Sequence, residues 1–281
     1  MFKLFGGKDH KKALKKALGE YELPSFPAVA TQVLDLLRRD TASASAVADV
    51  LALDPGLSVR VLATVNSAAY SPRRRVDNLP QAVAMLGMSN LETLVIAVAV
   101  GATVPRVPCE GFRPQRFWLA AARRAATAQA LAELLHPASR SESFTAALLQ
   151  DMAIPLLVMS RPKVYGPILT RWHAGEAELQ HLEREELGFD HAEAGTWLCA
   201  EWSLPQSLAA AIGGHHRPLD ALDGCPPAVA LVSHLRETED RSGVDELVTL
   251  AHEHFGLPEE VVSNLVHVSF EGAGDLAELF C

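Results

Sequence analysis

Apolar residues recur every three or four positions along the first hundred residues of this chain. Val29, Val33, Leu36 and Leu37 form one stripe, Val47, Val50 and Leu51 a second, Leu57, Val61, Leu62 and Val65 a third, and Val83 with Leu86 a fourth. That spacing puts each set on a single helix face. The punctuation agrees. Pro24, Ser25 and Pro27 precede the first stripe, Asp54-Pro55 supplies a cap and a first-turn proline before the third, and Asn78-Leu79-Pro80 opens the fourth, which Gly87 stops. Ser89 and Glu92 have the spacing of a capping box at the start of the next helix. The pattern predicts a bundle of about five short helices.

A proline-rich break from Val104 to Pro114 interrupts the periodicity. Beyond it, Phe117 to Leu135 predicts a long alanine-rich helix, and Ser139 with Glu142 is a second capping-box candidate before Phe144 to Leu149. Asp190 and Glu193 repeat that logic and open a helix to Trp202. Ser203-Leu204-Pro205 starts another, which ends near Gly213-Gly214, directly before His215-His216. Stretches from Pro227 to Arg236 and from Pro258 to Val268 close the chain. Alternating strand patterns and hairpin dipeptides are absent, so the fold class predicted is all-α. The expected organisation is a segment 1–20, a helical bundle 21–103, a second helical half 115–220 and a helical extension 221–281.

Charge changes this picture at one end. The net charge is −9, yet the first twenty residues carry Lys3, Lys8, Lys11, Lys12, Lys15 and Lys16 against Asp9 and Glu20, a local +4 that leaves −13 on the remainder. An acidic body repels a phosphate backbone, which argues against general nucleic-acid binding. Phe2, Phe5, Leu14 and Leu18 among these lysines fit either a solvated tail or a short amphipathic helix that meets a partner or an anionic membrane surface. Hydrophobic residues make up 49% and charged residues 21%, as in globular proteins. Cys109, Cys199, Cys225 and Cys281 are widely spaced, as expected of thiols in a reducing compartment. The most apolar run, Leu91 to Val100, is short for a membrane span, and a cytoplasmic location is expected.

Leu23-Pro24-x-x-Pro27, Asp54-Pro55-x-Leu57, Val65-Asn66-Ser67-Ala68-x-Tyr70, Ala82-x-x-x-Leu86-Gly87, Phe117-Trp118, Leu187-Gly188-x-Asp190-His191-x-x-x-Gly195, Trp202-x-Leu204-Pro205 and His215-His216 follow one another over residues 21 to 220. Each is weak alone, but the ordered set resembles HDOD domains. The resemblance implies an HD-phosphohydrolase-like multi-helix bundle with an N-terminal helical subdomain, related to HD and HD-GYP phosphohydrolases and associated with bacterial signal transduction.

An HD-type hydrolase needs several His and Asp ligands converging between helices, because its metal must hold phosphate and acidify the attacking water. By resemblance, the first His position falls on Ala120 and the His-Asp doublet on Gln150-Asp151. Alanine offers no lone pair, and a Gln carbonyl is a poor transition-metal donor beside imidazole. Asp151, His191, His215 and His216 remain as remnant positions. Each also has a plain structural reading: a hydrogen-bonded buried carboxylate, a first-turn histidine, and an adjacent pair whose rings point apart on a helix and so do not share one ion. Asn66, Ser67, Tyr70 and the basic run Arg73-Arg74-Arg75 are candidate binding positions, set against helix-end and solvated-loop roles. No Walker loop, dinucleotide fingerprint, H-E-x-x-H or G-x-S-x-G occurs.

The expected function is therefore a signal-transduction output or scaffold module without catalysis, metal or other cofactor, which binds a protein partner, a small molecule or a nucleotide through a degenerate cleft. The alternative is a metal-dependent phosphohydrolase acting on a nucleotide or cyclic dinucleotide.

Overall fold

The computed structural model describes residues 9–39, 42–66, 74–104, 111–236 and 243–280. Among them the chain is all-α, with no strand. The helices are α1 (Asp9–Leu18), α2 (Ala28–Leu37), α3 (Ala44–Leu51), α4 (Pro55–Val65), α5 (Leu79–Thr103), α6 (Pro114–Leu135), α7 (Arg140–Leu149), α8 (Ala153–Ser160), α9 (Pro162–His173), α10 (Leu179–Leu187), α11 (His191–Glu201), α12 (Gln206–Gly214), α13 (Pro227–Val232), α14 (Val244–Phe255), α15 (Glu259–Glu271) and α16 (Ala273–Glu278).

The predicted stripes are the buried ones. Val33 of α2, Val47 and Leu51 of α3, and Val61 and Val65 of α4 are buried, and α2, α3 and α4 pack against α5. The Asp54 carboxylate caps α4 at Leu57, and Asn78 caps α5 at Gln81. At Gly87 the backbone leaves helical geometry (φ 73°, ψ 169°) and then resumes it, so the two helices predicted here are the two limbs of a kinked α5. Neither the Ser89 nor the Ser139 capping box forms. Glu92 instead approaches Arg38 at 3.8 Å, and the Ser139 hydroxyl donates to the His136 carbonyl. The run Leu91 to Val100 belongs to a helix of 25 residues, long and apolar enough to cross a membrane, but its apolar side chains are packed inside the fold.

α6 is the central column. Phe117, Trp118 and Ala121 join the large core shared with α5 and α7, whereas Ala128, Leu131 and Ala132 join a smaller core with Leu231, Leu247, Val262 and Val266. Phe280 stacks on Trp118 with ring centroids 4.8 Å apart, which ties the C-terminal helices to this column. The basic segment is docked rather than free from Asp9 onward. Leu14, Ala17 and Leu18 of α1 are buried, α1 packs on α11 and α8, and Arg161 donates to the carbonyls of Lys16 and Ala17 at its end. Lys11, Lys12, Lys15 and Lys16 face solvent.

Candidate metal centre

Four elements bring ionisable groups to one buried point beside α6. Asp151 follows the end of α7, and His191 is the first residue of α11. His215 and His216 follow the last residue of α12. His191 is placed by the predicted capping box: Asp190 accepts from the Glu193 amide at 2.8 Å, and Glu193 accepts from the Asp190 amide at 3.2 Å. α11 and α12 approach closely because a Cβ on Gly195 would stand 2.6 Å from the Ile212 side chain, and one on Gly213 would stand 2.5 Å from the Thr196 hydroxyl.

The three histidines converge. His191 Nε2 lies 3.3 Å from His215 Nε2 and 2.9 Å from His216 Nε2, and Asp151 Oδ1 lies 3.4 Å from both His191 Nε2 and His215 Nε2. The expectation that adjacent rings at 215 and 216 point apart is therefore corrected: their centroids are 4.0 Å apart. The physical reason is that the helix has ended. His215 Nδ1 bonds the Ile212 carbonyl at 2.5 Å, which folds that ring back onto α12, while His216 already lies in the turn beyond.

Two residues overlooked in the sequence complete the arrangement. Glu183 of α10 is fully buried; it accepts from the His191 amide at 2.9 Å, faces His191 Nδ1 at 2.6 Å and accepts from the Tyr165 hydroxyl. Arg124 of α6 is 4% exposed, and its Nη2 sits 2.6 Å from Asp151 Oδ2 while Nη1 donates to the Leu235 carbonyl. Both carried a legible signal. Glu183 falls on the apolar stripe Leu179, Leu182, Leu187, and Arg124 on the stripe Phe117, Ala121, Ala128, where a charge is out of place unless it has a buried partner.

The electrostatics follow. Burial opposes ionisation of Asp151, but the Arg124 guanidinium, with His191 and His215, holds its carboxyl well below the usual range. Burial likewise disfavours a charged His191, yet the Glu183 and Asp151 carboxylates outweigh it and hold protonation well above the ordinary imidazole value. His216 moves the other way, pushed well down by burial and by its histidine neighbours. A proton on His191 thus serves the acceptors that surround it.

The same atoms suit a metal ion. Nδ1 of His191 and of His215 each face an acceptor, Glu183 and the Ile212 carbonyl, which directs the Nε2 lone pairs inward. Donors held at about 2.0–2.1 Å from one ion stand about 3.0–3.4 Å apart, and four of the separations here are 2.9, 3.3, 3.4 and 3.4 Å. The residues fit, and Ala120, which has no side-chain donor, contributes no ligand. A divalent ion here would polarise a bound water or anion.

The cavity at this point is about 40 Å³ and is lined by Arg124, Gln150, Asp151, His191 and His216, with Glu178 and Arg236 paired at its edge. Gln150 is 1% exposed, and its side-chain oxygen has no hydrogen-bond partner among the described residues. The other candidates lie elsewhere. The Asn66 amide is committed to backbone, donating to the Leu62 and Val76 carbonyls and accepting from the Val76 amide. Arg74 and Arg75 are exposed before α5, with Arg75 3.4 Å from Asp77. Ser67, Tyr70 and Arg73 lie outside the described residues.

The HDOD domain family model matches residues 23–218. The chain belongs to the HDOD family. A curated relative from Treponema pallidum (strain Nichols), named only as an uncharacterized protein, is 23% identical over 219 residues, 77% of the HDOD chain, which spans 42% of that relative's length. Among solved structures, a Shewanella amazonensis SB2B protein provisionally called a phosphohydrolase is 27% identical with a TM-score of 0.75, covering 96% of this chain and 98% of that one. A Marinobacter aquaeolei VT8 protein provisionally called a signal transduction protein shares the fold at 17% identity and a TM-score of 0.72, over 100% of this chain and 67% of that one. Ser233, Leu235 and Arg236, which close the HDOD centre from one side, lie beyond the matched range.

Proposed function

We propose that this HDOD chain is a signal-transduction module that works by binding, with the His/Asp centre as a small, largely buried hub and not as a phosphohydrolase active site. The observation that carries the reading is the guanidinium of Arg124 on Asp151, in a cavity of about 40 Å³. That volume admits a few waters, whereas pockets for a nucleotide-sized ligand run to several hundred Å³. Arg124 also holds the carboxylate oxygen that a phosphate-positioning cation would need. Regulation then passes through protein or small-ligand contacts at the helical surfaces, among them the lysine face of α1, which belongs to this reading as a partner or membrane contact. The fold shared with a protein provisionally called a signal transduction protein supports the assignment.

The convergence of three imidazoles favours a second reading, a metal-dependent phosphohydrolase acting on a nucleotide or cyclic dinucleotide. One experiment separates them. Full-length protein loaded with Mn(II), Fe(II) or Zn(II) is assayed on cyclic dinucleotides and on bis(p-nitrophenyl) phosphate. The binding reading expects no turnover above buffer; turnover that disappears in His191→Ala overturns it.

A further inference from the structure

We infer that the His/Asp centre takes one late first-row transition ion, and only one. Its ligands are Nε2 of His191, His215 and His216 with Oδ1 of Asp151, and Arg124 stands where a second cation would bridge. The donor set selects the metal. Three imidazoles and one carboxylate suit Zn(II), Co(II) or Ni(II), whereas Mg(II) and Ca(II) require an oxygen shell. The three ring donors already lie within 4.8 Å of one another, so binding needs little rearrangement.

The stoichiometry follows from Asp151. Its two oxygens face different charges, Oδ1 toward the imidazoles at 3.4 Å and Oδ2 toward Arg124 Nη2 at 2.6 Å. A carboxylate that bridges two ions with one oxygen on each needs both oxygens free, and here the second faces a fixed guanidinium that is itself anchored on the Leu235 carbonyl and repels a second cation. Glu183 is the positioning residue: it fixes the His191 tautomer from behind and brings a buried negative charge that favours a divalent ion.

The test uses the full chain, stripped with chelator and titrated with Co(II), read by visible d–d absorption and by elemental analysis after desalting. The expected result is one Co(II) per chain, displaced by Zn(II) and not by Mg(II). Glu183→Gln should weaken binding by about 10- to 100-fold, and His216→Ala, a half-buried ring at the edge of the site, should abolish the Co(II) band while circular dichroism in chelator shows a folded chain. His267→Ala, an exposed ring beside Glu271 on α15, should bind as wild type. Folded wild-type protein without a Co(II) band, two ions per chain, equal competition by Mg(II), or unchanged affinity in both site variants overturns the inference. Those failures leave the binding reading of function intact, whereas phosphodiester turnover by a one-metal protein overturns that reading and leaves this one.

Discussion

Replacing Arg124 by methionine keeps most of the side-chain volume and removes one charge from a pair in which Arg124 is 4% and Asp151 8% exposed. Breaking a buried ion pair from one side costs about 3–5 kcal/mol, because the partner charge is left uncompensated. Here the low end applies. Asp151 retains His191 Nε2 and His215 Nε2 at 3.4 Å, and a protonated His191 takes up part of its charge. The expected cost of Arg124→Met is thus about 3 kcal/mol, and that of Asp151→Asn is of similar size because it strands the guanidinium. The double variant loses the pair as a unit, and its main remaining penalty is the Leu235 carbonyl that Arg124 served, about 1–3 kcal/mol. The coupling energy should therefore exceed about 2 kcal/mol. Guanidinium unfolding in chelator at neutral pH, followed by far-UV circular dichroism and tryptophan fluorescence, gives the four stabilities. A double variant as unstable as the sum of the singles would show that the pair is not a unit and would refute the account of Arg124 as a built-in counter-ion.

Burial disfavours a charged His191, but Glu183 and Asp151 raise its protonation well above the usual value, so its stabilising contribution is full below about pH 6.5 and is lost as pH rises through the raised value. Glu183→Gln removes part of that shift, and chemical-denaturation stability measured in chelator from about pH 6 to about pH 10 should decline less steeply than in wild type. Asp190→Ala removes the cap of α11 and should cost about 0.5–2 kcal/mol, with faster amide exchange in the first turn that carries His191. Asn66→Ala deletes one bond to the Leu62 carbonyl of α4 and two to the Val76 backbone ahead of α5, and should cost about 1–3 kcal/mol in thermal unfolding; no loss would free Asn66 from its bracing role.

The all-α class, the main caps and the HDOD membership were legible in the chain because they depend on local periodicity and ordered short motifs. Asp54, Asn78 and Asp190 cap where the spacing places them, since a cap is satisfied within three residues of its own position. Ser89 and Ser139 have the same spacing and make no cap: Glu92 of the first pair faces Arg38, and the Ser139 hydroxyl of the second donates to the His136 carbonyl. The helices between Ala153 and Leu187, together with α14 and α16, were not predicted at all. In α8, α9 and α10 the stripes are interrupted by Pro155, Pro167 and Glu183, and a charge such as Glu183 suits an apolar face only once a distant partner is in place.

The centre depends on that same long-range matching. The sequence by itself singled out Asp151, His191, His215 and His216 as candidate donors. Only the tertiary structure decided that these donors meet, that two neighbouring rings share one point, and that Arg124, 27 residues from Asp151, neutralises it. Direction at a helix end is set by the packing of α11 on α12, and the charge state of a buried group is set by whatever the fold brings within a few ångströms of it. Neither quantity is a property of a local stretch of chain.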